Sequence, residues 1–322
     1  MFEGSAILYL YVETPLHAGS GSGLGAVDLP VQRERVTGYP LVQASSLKGA
    51  LRATVTSLRP NEKEKINVVF GPETDRASDH AGALSTGDAR LLLFPVRSLL
   101  GIFAWTTSQD ALMRFCRDAI AAGFQPDWGK NGKEEPLSPA WPTKESDALV
   151  SSDNCNLVPT EGQWPKPLVL EEYAFNAQKD PSLSEFANWL VENAFPKNKE
   201  YEYWRKKLPS SLVVLPENAF RDFTLNATEV ITRVRLDQDT KTVASGALWT
   251  EEYLPTDTLL YSPIYASKSR NKDVIQPHDA NEMLEYIQKL ELNRMHLGGD
   301  ETVGRGLVKT RFELANDVTG SR

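Results

Sequence analysis

Cysteine, histidine and methionine are scarce in this 322-residue chain, at two, four and four copies. Cys116 and Cys155 are far apart, and neither has a second cysteine or a histidine at ligand spacing. That argues against a disulfide framework and against a structural zinc site. No apolar run approaches the roughly 18 residues needed to cross a membrane, and no secretory leader is recognised. A cytoplasmic protein with no membrane partner is expected. Positive charge is short as well: 35 Lys and Arg face 43 Asp and Glu, a net charge of −8. A surface coated throughout with phosphate-binding charge is thereby excluded. No internal repeat of about 20–50 residues is present, so solenoids and propellers are excluded too.

The cations that are present cluster. Residues 31–59 hold Arg33, Arg35, Lys48, Arg52 and Arg59 against Glu34 alone. Within them, Ala44-Ser45-Ser46-Leu47-Lys48-Gly49-Ala50-Leu51-Arg52 predicts a helix to about Leu58, capped by Ser45 or Ser46. Lys48 and Arg52 then lie one turn apart on one face beside the helix N-terminus, where phosphate is attracted. Two like charges at this spacing repel mildly and call for an anion, although a serine cap with two solvated cations is also an ordinary helix start.

A second backbone trap reads Gly298-Gly299-Asp300-Glu301-Thr302-Val303-Gly304-Arg305-Gly306. Four glycines in nine positions expose bare N–H groups and admit another backbone closely, and runs of oriented N–H groups bind anions. A dinucleotide fingerprint would need a strand before it and a helix after it. Here a predicted helix precedes and the strand-like Leu307–Phe312 follows, so that reading fails. The glycine-rich loop at 19–25 fails the same test and lacks a Gly-Lys-Ser/Thr ending.

Coarse organisation follows from periodicity. Ser5–Thr14 is a strong β signal, Val27–Gln32 reads as extended, and Thr37-Gly38-Tyr39-Pro40 reads as a turn. Arg90–Val96 has the continuous apolar pattern of a buried strand, with Ile102–Thr106 as its expected neighbour, and Gln109–Ala122 has helical spacing. Residues 124–167 mix prolines, tryptophans, glycines and charges without period, as an irregular insertion would. Helices are predicted over about 182–193, 200–207 and 280–290, and strands over Val213–Leu215 and Val308–Leu314. From Phe223 to Tyr265 the β pattern resumes, with a polar hairpin tip at 236–241 between Ile231–Arg235 and Ala247–Tyr253. The alternation of strand and helix blocks predicts an α+β fold with a mostly antiparallel sheet.

Four blocks together resemble the RAMP superfamily of CRISPR proteins, and within it the repeating backbone subunit of the type III-B effector complex. They are His17-x-Gly19 with Gly25–Glu34; Ser45-Ser46-Leu47-Lys48-Gly49-x-Leu51-Arg52; Arg233–Lys241 with Gly246–Pro255; and the terminal glycine loop. The resemblance implies one domain over residues 1–322: an RRM-like (ferredoxin-like) palm, a helical and irregular insertion over 99–210, and an extended hairpin thumb over 222–262. It also implies copies stacked head to tail on a CRISPR guide RNA, other subunits of the complex, and metal-dependent cleavage of bound single-stranded target RNA at regular intervals. The cofactor would be a divalent metal, Mg or Mn.

By this resemblance Asp28 is the acidic residue that carries cleavage and a metal ligand, and His17, Glu251 and Tyr253 contribute. Taken alone, Asp28 is an ordinary loop carboxylate. Chemically, one carboxylate there can accept the proton of an attacking RNA 2′-hydroxyl or help hold a hydrated hard cation. His17 reads as a surface histidine, a general acid or a phosphate contact. Glu251 and Glu252 are neighbours on a predicted strand, so only one of the two faces the RNA. The expected RNA-binding set is Ser45, Ser46, Lys48, Arg52, Gly298, Gly299, Gly304, Arg305 and Gly306. Trp249, Tyr253, Tyr261 and Tyr265 are candidate base-stacking platforms, though packing is the commoner use at strand spacing. Trp128, Trp141, Trp164 and Trp189 read as structural or subunit-contact residues. Two rival readings are a non-catalytic RNA-binding filament subunit and a guide-processing endoribonuclease of the same superfamily.

Overall fold

Alternation along Gly4–Val12, the strand β1, sends Ala6, Leu8, Leu10 and Val12 to one face and Ile7, Tyr9 and Tyr11 to the other. All seven are buried, so the strand is covered on both sides. Leu8 and Leu10 pack with Leu47, Leu51, Val55, Met283, Leu284 and Ile287. Tyr9 and Tyr11 pack with Leu112, Phe115, Leu183, Phe186, Leu190 and Leu208. Two helical layers therefore sandwich one sheet.

The computed structural model describes residues 2–23, 25–125, 141–151, 154–237, 239, 243–271 and 276–315. After β1 come β2 (Leu41–Val42), α1 (Ala44–Leu58), α2 (Lys63–Phe70), β3 (Leu84–Thr86), β4 (Ala89–Arg97), β5 (Phe103–Ser108) and α3 (Gln109–Ala121). Then follow β6 (Asp147–Val150), β7 (Lys166–Leu170), β8 (Tyr173–Lys179), α4 (Pro181–Asn193), α5 (Glu202–Ser211), β9 (Leu212–Leu215) and α6 (Glu217–Asn226). The chain ends with β10 (Glu229–Leu236), β11 (Val243–Tyr253), β12 (Leu259–Ala266), α7 (Ala280–Lys289), β13 (Arg294–His296) and β14 (Leu307–Leu314).

Twelve strands form one sheet in the order β13-β14-β1-β12-β4-β5-β9-β6-β8-β7, with β2 beside β4 and β3 beside β12. Among the strands of the described residues only β5–β9 and β6–β8 pair in parallel, so the expected α+β fold with a mostly antiparallel sheet is present. β10 and β11 make a separate two-stranded sheet. Among the described residues no helix is long and apolar enough to cross a membrane. Both cysteines are buried and unpaired.

Several expectations are corrected. Neither Ser45 nor Ser46 caps α1: Gln43 holds the cap position without a side-chain bond, and the Ala44 N–H donates to Asp88 Oδ1 at 2.8 Å. The serines sit exposed in the first turn. Residues 124–167 are not wholly irregular, since β6 and the start of β7 lie there. The 99–210 segment carries β5 through β8 as well as helices and joins the main sheet. The β pattern expected from Phe223 begins later, because α6 runs on to Asn226. Trp128 and hairpin-tip residues Gln238, Thr240 and Lys241 lie outside the described residues. Trp141 and Trp189 pack against one core and Trp164 against the other.

Leu10 is fully buried in the strand that both layers share. Leu10→Ala is expected to destabilise the chain by about 2–5 kcal/mol, the range for leucine truncations in a close-packed core. A urea titration of the two proteins checks this.

Candidate functional site

Residues 16–23 and 25–33 belong to a loop laid against β11. Leu16 bridges Leu254, Gly19 bridges Val31, and Leu29 bridges Glu251 in parallel. The Leu29 N–H donates to Thr250 O at 3.0 Å, and the Glu252 N–H donates to Leu29 O at 3.0 Å. One residue earlier, Asp28 uses its side chain to continue this ladder. Its Oδ2 accepts from the Thr250 N–H at 2.8 Å and from the Thr250 hydroxyl at 2.9 Å, and its own N–H donates to Thr250 Oγ1 at 2.9 Å. Asp28 is exposed. The Thr250 N–H, then the Thr250 hydroxyl, hold its carboxyl below the usual aspartate range, because both bonds favour the charged form. Oδ1 has no protein partner among the described residues.

Glu251 and Glu252 are both buried, at 6% and 5% exposure, and point to opposite faces of β11. On one face Glu252 pairs with Arg33, accepts the Thr228 hydroxyl at 2.8 Å and the Val31 N–H at 2.9 Å. It anchors the loop. On the other face Glu251 accepts Arg233 Nε at 2.9 Å, Trp249 Nε1 at 2.7 Å and the Tyr253 hydroxyl. Burial pushes the Glu251 carboxyl up, but the bonds from Tyr253, Trp249 and Arg233 outweigh it and bring it down to about 2. Tyr253 is fully buried; its oxygen also accepts Arg233 Nη2 at 2.7 Å and lies 2.8 Å from Asp300 Oδ2. Burial, then the neighbouring carboxylates, push its phenol well up. Tyr253 is therefore no stacking platform, and neither is Tyr261, which is buried against Phe115 and bonded to Asp118. Tyr265 stacks on Phe2, and Trp249 is half-buried.

The glycine loop reaches this second face. Asp300 and Gly304 hold left-handed backbones around a short 3-10 turn. The Gly299 N–H donates to His17 O at 2.9 Å. A Cβ at Gly298 would meet that same carbonyl at 2.2 Å, and one at Gly306 would meet Leu297 O at 2.2 Å. Those two glycines are required by packing, and Gly306 is buried with its N–H donated to Pro15 O at 3.0 Å. Gly298, Gly299 and Gly304 are exposed, and the Arg305 guanidinium stands 5.0 Å from the Tyr253 ring centre. His17 lies 5.5 Å from that ring. Its Nδ1 sits 2.7 Å from Glu252 O; a carbonyl only accepts, so Nδ1 carries the hydrogen and Nε2 of the neutral ring is an acceptor. Gly19 leaves room for Nε2, since a Cβ there would approach it to 2.7 Å.

The structure thus brings His17, Glu251 and Tyr253 together. Asp28 is held on the same strand through Thr250 but makes none of those contacts. Ser45, Ser46, Lys48 and Arg52 form a separate group on α1. Lys48 Nζ donates to Leu84 O at 2.8 Å, and Arg52 donates to Pro72 O and Asn67 Oδ1, each at 3.1 Å. These partners are uncharged. Burial, then Arg52 and Arg270, push the Lys48 ammonium down, so three cations gather there. Sequence reasoning missed Thr250, Arg233, Arg33 and Asp300. Asp300 was visible inside the glycine loop; the others became functional only through cross-strand register.

No group of three or more His, Cys, Asp or Glu among the described residues could by itself cage a metal. One outward carboxylate oxygen suits a different mode. Magnesium commonly keeps several waters and binds through one or two carboxylates plus substrate phosphates, and Asp28 Oδ1 fits that role.

The depressed Glu251 carboxyl has a pH consequence. Its folded value of about 2 lies below the ordinary 4.5, so its stabilisation is present above about 4.5 and drains away as pH falls toward 2. Glu251→Gln should lower stability at neutral pH and flatten the acid limb between those values. Denaturation midpoints of both proteins at a series of pH values measure this.

Residues 9–309 match the model of the RAMP superfamily. The CRISPR system Cmr endoribonuclease Cmr4 of Pyrococcus furiosus is 38% identical over 310 residues, covering 96% of both chains. The CRISPR system CMR subunit Cmr4 of Saccharolobus solfataricus is 28% identical over 318 residues, covering 94% of this chain and 95% of the relative. The crystal structure of oligomeric Cmr4 from Pyrococcus furiosus superposes with a TM-score of 0.69 at 30% identity, covering 98% of this chain and 99% of the other. With the family model spanning nearly the whole fold, the chain belongs to the RAMP superfamily.

Proposed function

We propose that this chain is a guide-RNA-binding backbone subunit of a type III-B CRISPR effector complex, stacked with further copies and other subunits, and that it cleaves the complementary target RNA. The relative named as an endoribonuclease, alike over almost its full length, supports the activity. The observation that carries the site is Asp28, exposed and held ionised by Thr250 at the base of the hairpin.

The strand order β14-β1-β12-β4, with α1 and α7 packed on one face of β1, supports an RRM-like palm. The separate β10–β11 hairpin supports the thumb that distorts the guide–target duplex. Guide phosphates are assigned to the exposed first turn of α1 at Ser45 and Ser46, to Lys48 and Arg52, and to Gly298, Gly299, Gly304 and Arg305. Contacts of this kind position a strand without reading its sequence, as a subunit serving many guides requires.

In the reaction, the 2′-oxygen of the target attacks the adjacent phosphorus, the 5′-oxygen leaves, and a cyclic 2′,3′-phosphate and a 5′-hydroxyl result. The subunit's task is to hold that in-line geometry. A depressed carboxyl is a poor proton acceptor, so Asp28 is assigned to charge and ligation and His17 Nε2 to accepting the 2′-proton. A divalent cation, Mg or Mn, held by Asp28 Oδ1 would supply charge neutralisation at the phosphate.

Asp28→Asn should abolish target cleavage in the assembled complex while folding, guide binding and target capture persist; parental cutting in Mg²⁺ would leave only a scaffold. Thr250→Val keeps the backbone bond but deletes the hydroxyl that holds Asp28. It should slow single-turnover cleavage by about tenfold, the lower end for lost support of a ligating group. On the binding side, Lys48→Ala/Arg52→Ala should weaken guide binding. It should also make the log–log dependence of affinity on salt shallower, by about 0.7 for each phosphate no longer neutralised. A titration of affinity against salt gives the slope.

A further inference from the structure

We infer that Asp300 is a positioning residue for cleavage: through the Tyr253 hydroxyl, which Arg233 holds from β10, it clamps the glycine loop onto β11, the strand that presents Asp28. For its cleavage readout the inference rests on the function proposed above.

The Tyr253 oxygen carries one hydrogen and accepts others. It accepts Arg233 Nη2 at 2.7 Å, and two carboxylates, Glu251 and Asp300, compete for its single proton. Glu251 is well supplied without it, because Trp249 Nε1 and Arg233 Nε both donate to it. Asp300 Oδ2 has the phenol as its side-chain partner. Its position is built, since the Val303 and Arg305 N–H groups close the turn on Asp300 O at 3.1 and 3.2 Å. The price is a left-handed aspartate backbone, φ 65°, a conformation disfavoured for a residue with a Cβ.

Charge completes the clamp. Arg233 lies 5.9 Å and Arg305 5.0 Å from the Tyr253 ring centre, so two cations balance the two carboxylates around a buried phenol. Four segments meet there: His17, whose carbonyl takes the Gly299 N–H; Arg233 on β10; the β11 run Trp249–Tyr253; and the loop from Gly298 to Arg305. Thr250, which fixes Asp28, lies inside that run. Releasing Asp300 frees β11 to pivot and displaces Asp28, although the Asp28–Thr250 bonds themselves survive.

The test uses the assembled complex and the isolated chain. Asp300→Ala should slow single-turnover cleavage on the order of tenfold or more, measured with guide and target at saturation so that binding does not enter the rate. Asp300→Asn, which can still bond the phenol, should restore most of the rate. In a Tyr253→Phe background Asp300→Ala should add nothing. Parental cutting by Asp300→Ala, in a complex that Asp28→Asn inactivates, would overturn the inference and leave the functional reading intact. Should Asp28→Asn also cut normally, that reading fails, and urea midpoints of the four-member Tyr253→Phe/Asp300→Ala cycle then decide: non-additive losses support the clamp, and additive losses overturn it.

Discussion

Two adjacent buried carboxylates on β11, Glu251 and Glu252, constrain everything around them. Strand geometry sends them to opposite faces, and a charge buried on either face is tolerated only with a partner. Arg233 answers one and Arg33 the other. Arg33 arrives on the loop that carries Asp28, and Arg233 on the opposing strand of the hairpin. Pairing the two charges therefore fastens both the loop and the hairpin to one strand. Removing either arginine would leave an uncompensated buried charge, a far larger penalty than the loss of a surface pair.

Much of the architecture was legible because local composition and spacing carry it. The β-branched and aromatic run of β1, the helical spacing of α3, and the polar tip between two β runs each mark their element locally. What was hidden lacks that signal. β6 spans four residues buried on both faces, so it shows no alternation, and it lies among prolines and charges that read as loop. α6 is short and begins directly after Pro216, where the aromatic Phe220 and Phe223 suit a strand as well as a helix. The serines of α1 misled because a good capping residue was available, whereas the bond to Asp88 comes from a distant part of the chain.

The site was legible in its residues but not in its arrangement. His17, Glu251 and Tyr253 do share one location, and the glycine loop does lie beside them. Composition could not reveal that Gly298 and Gly306 are there for backbone contact, with a carbonyl 2.2 Å from each absent Cβ. Nor could it separate Glu251 from Glu252, since both are buried and both paired. Register decides such questions, and one residue of slip would exchange their faces.

Unused bonding capacity then divides the labour. Glu251 and Tyr253 are buried and saturated by the network, so neither has a spare atom to offer an incoming strand. Asp28 has one, its Oδ1, and His17 has one, its Nε2. A buried, fully bonded group serves best as a fixed support, and a group with an open valence serves best at the reacting atoms. By that argument the carboxylate and the imidazole do the chemistry proposed for this chain, while Glu251 and Tyr253 hold the strand between them in place. Their substitution would damage activity through geometry, which distinguishes a support from a reacting group even where both are indispensable.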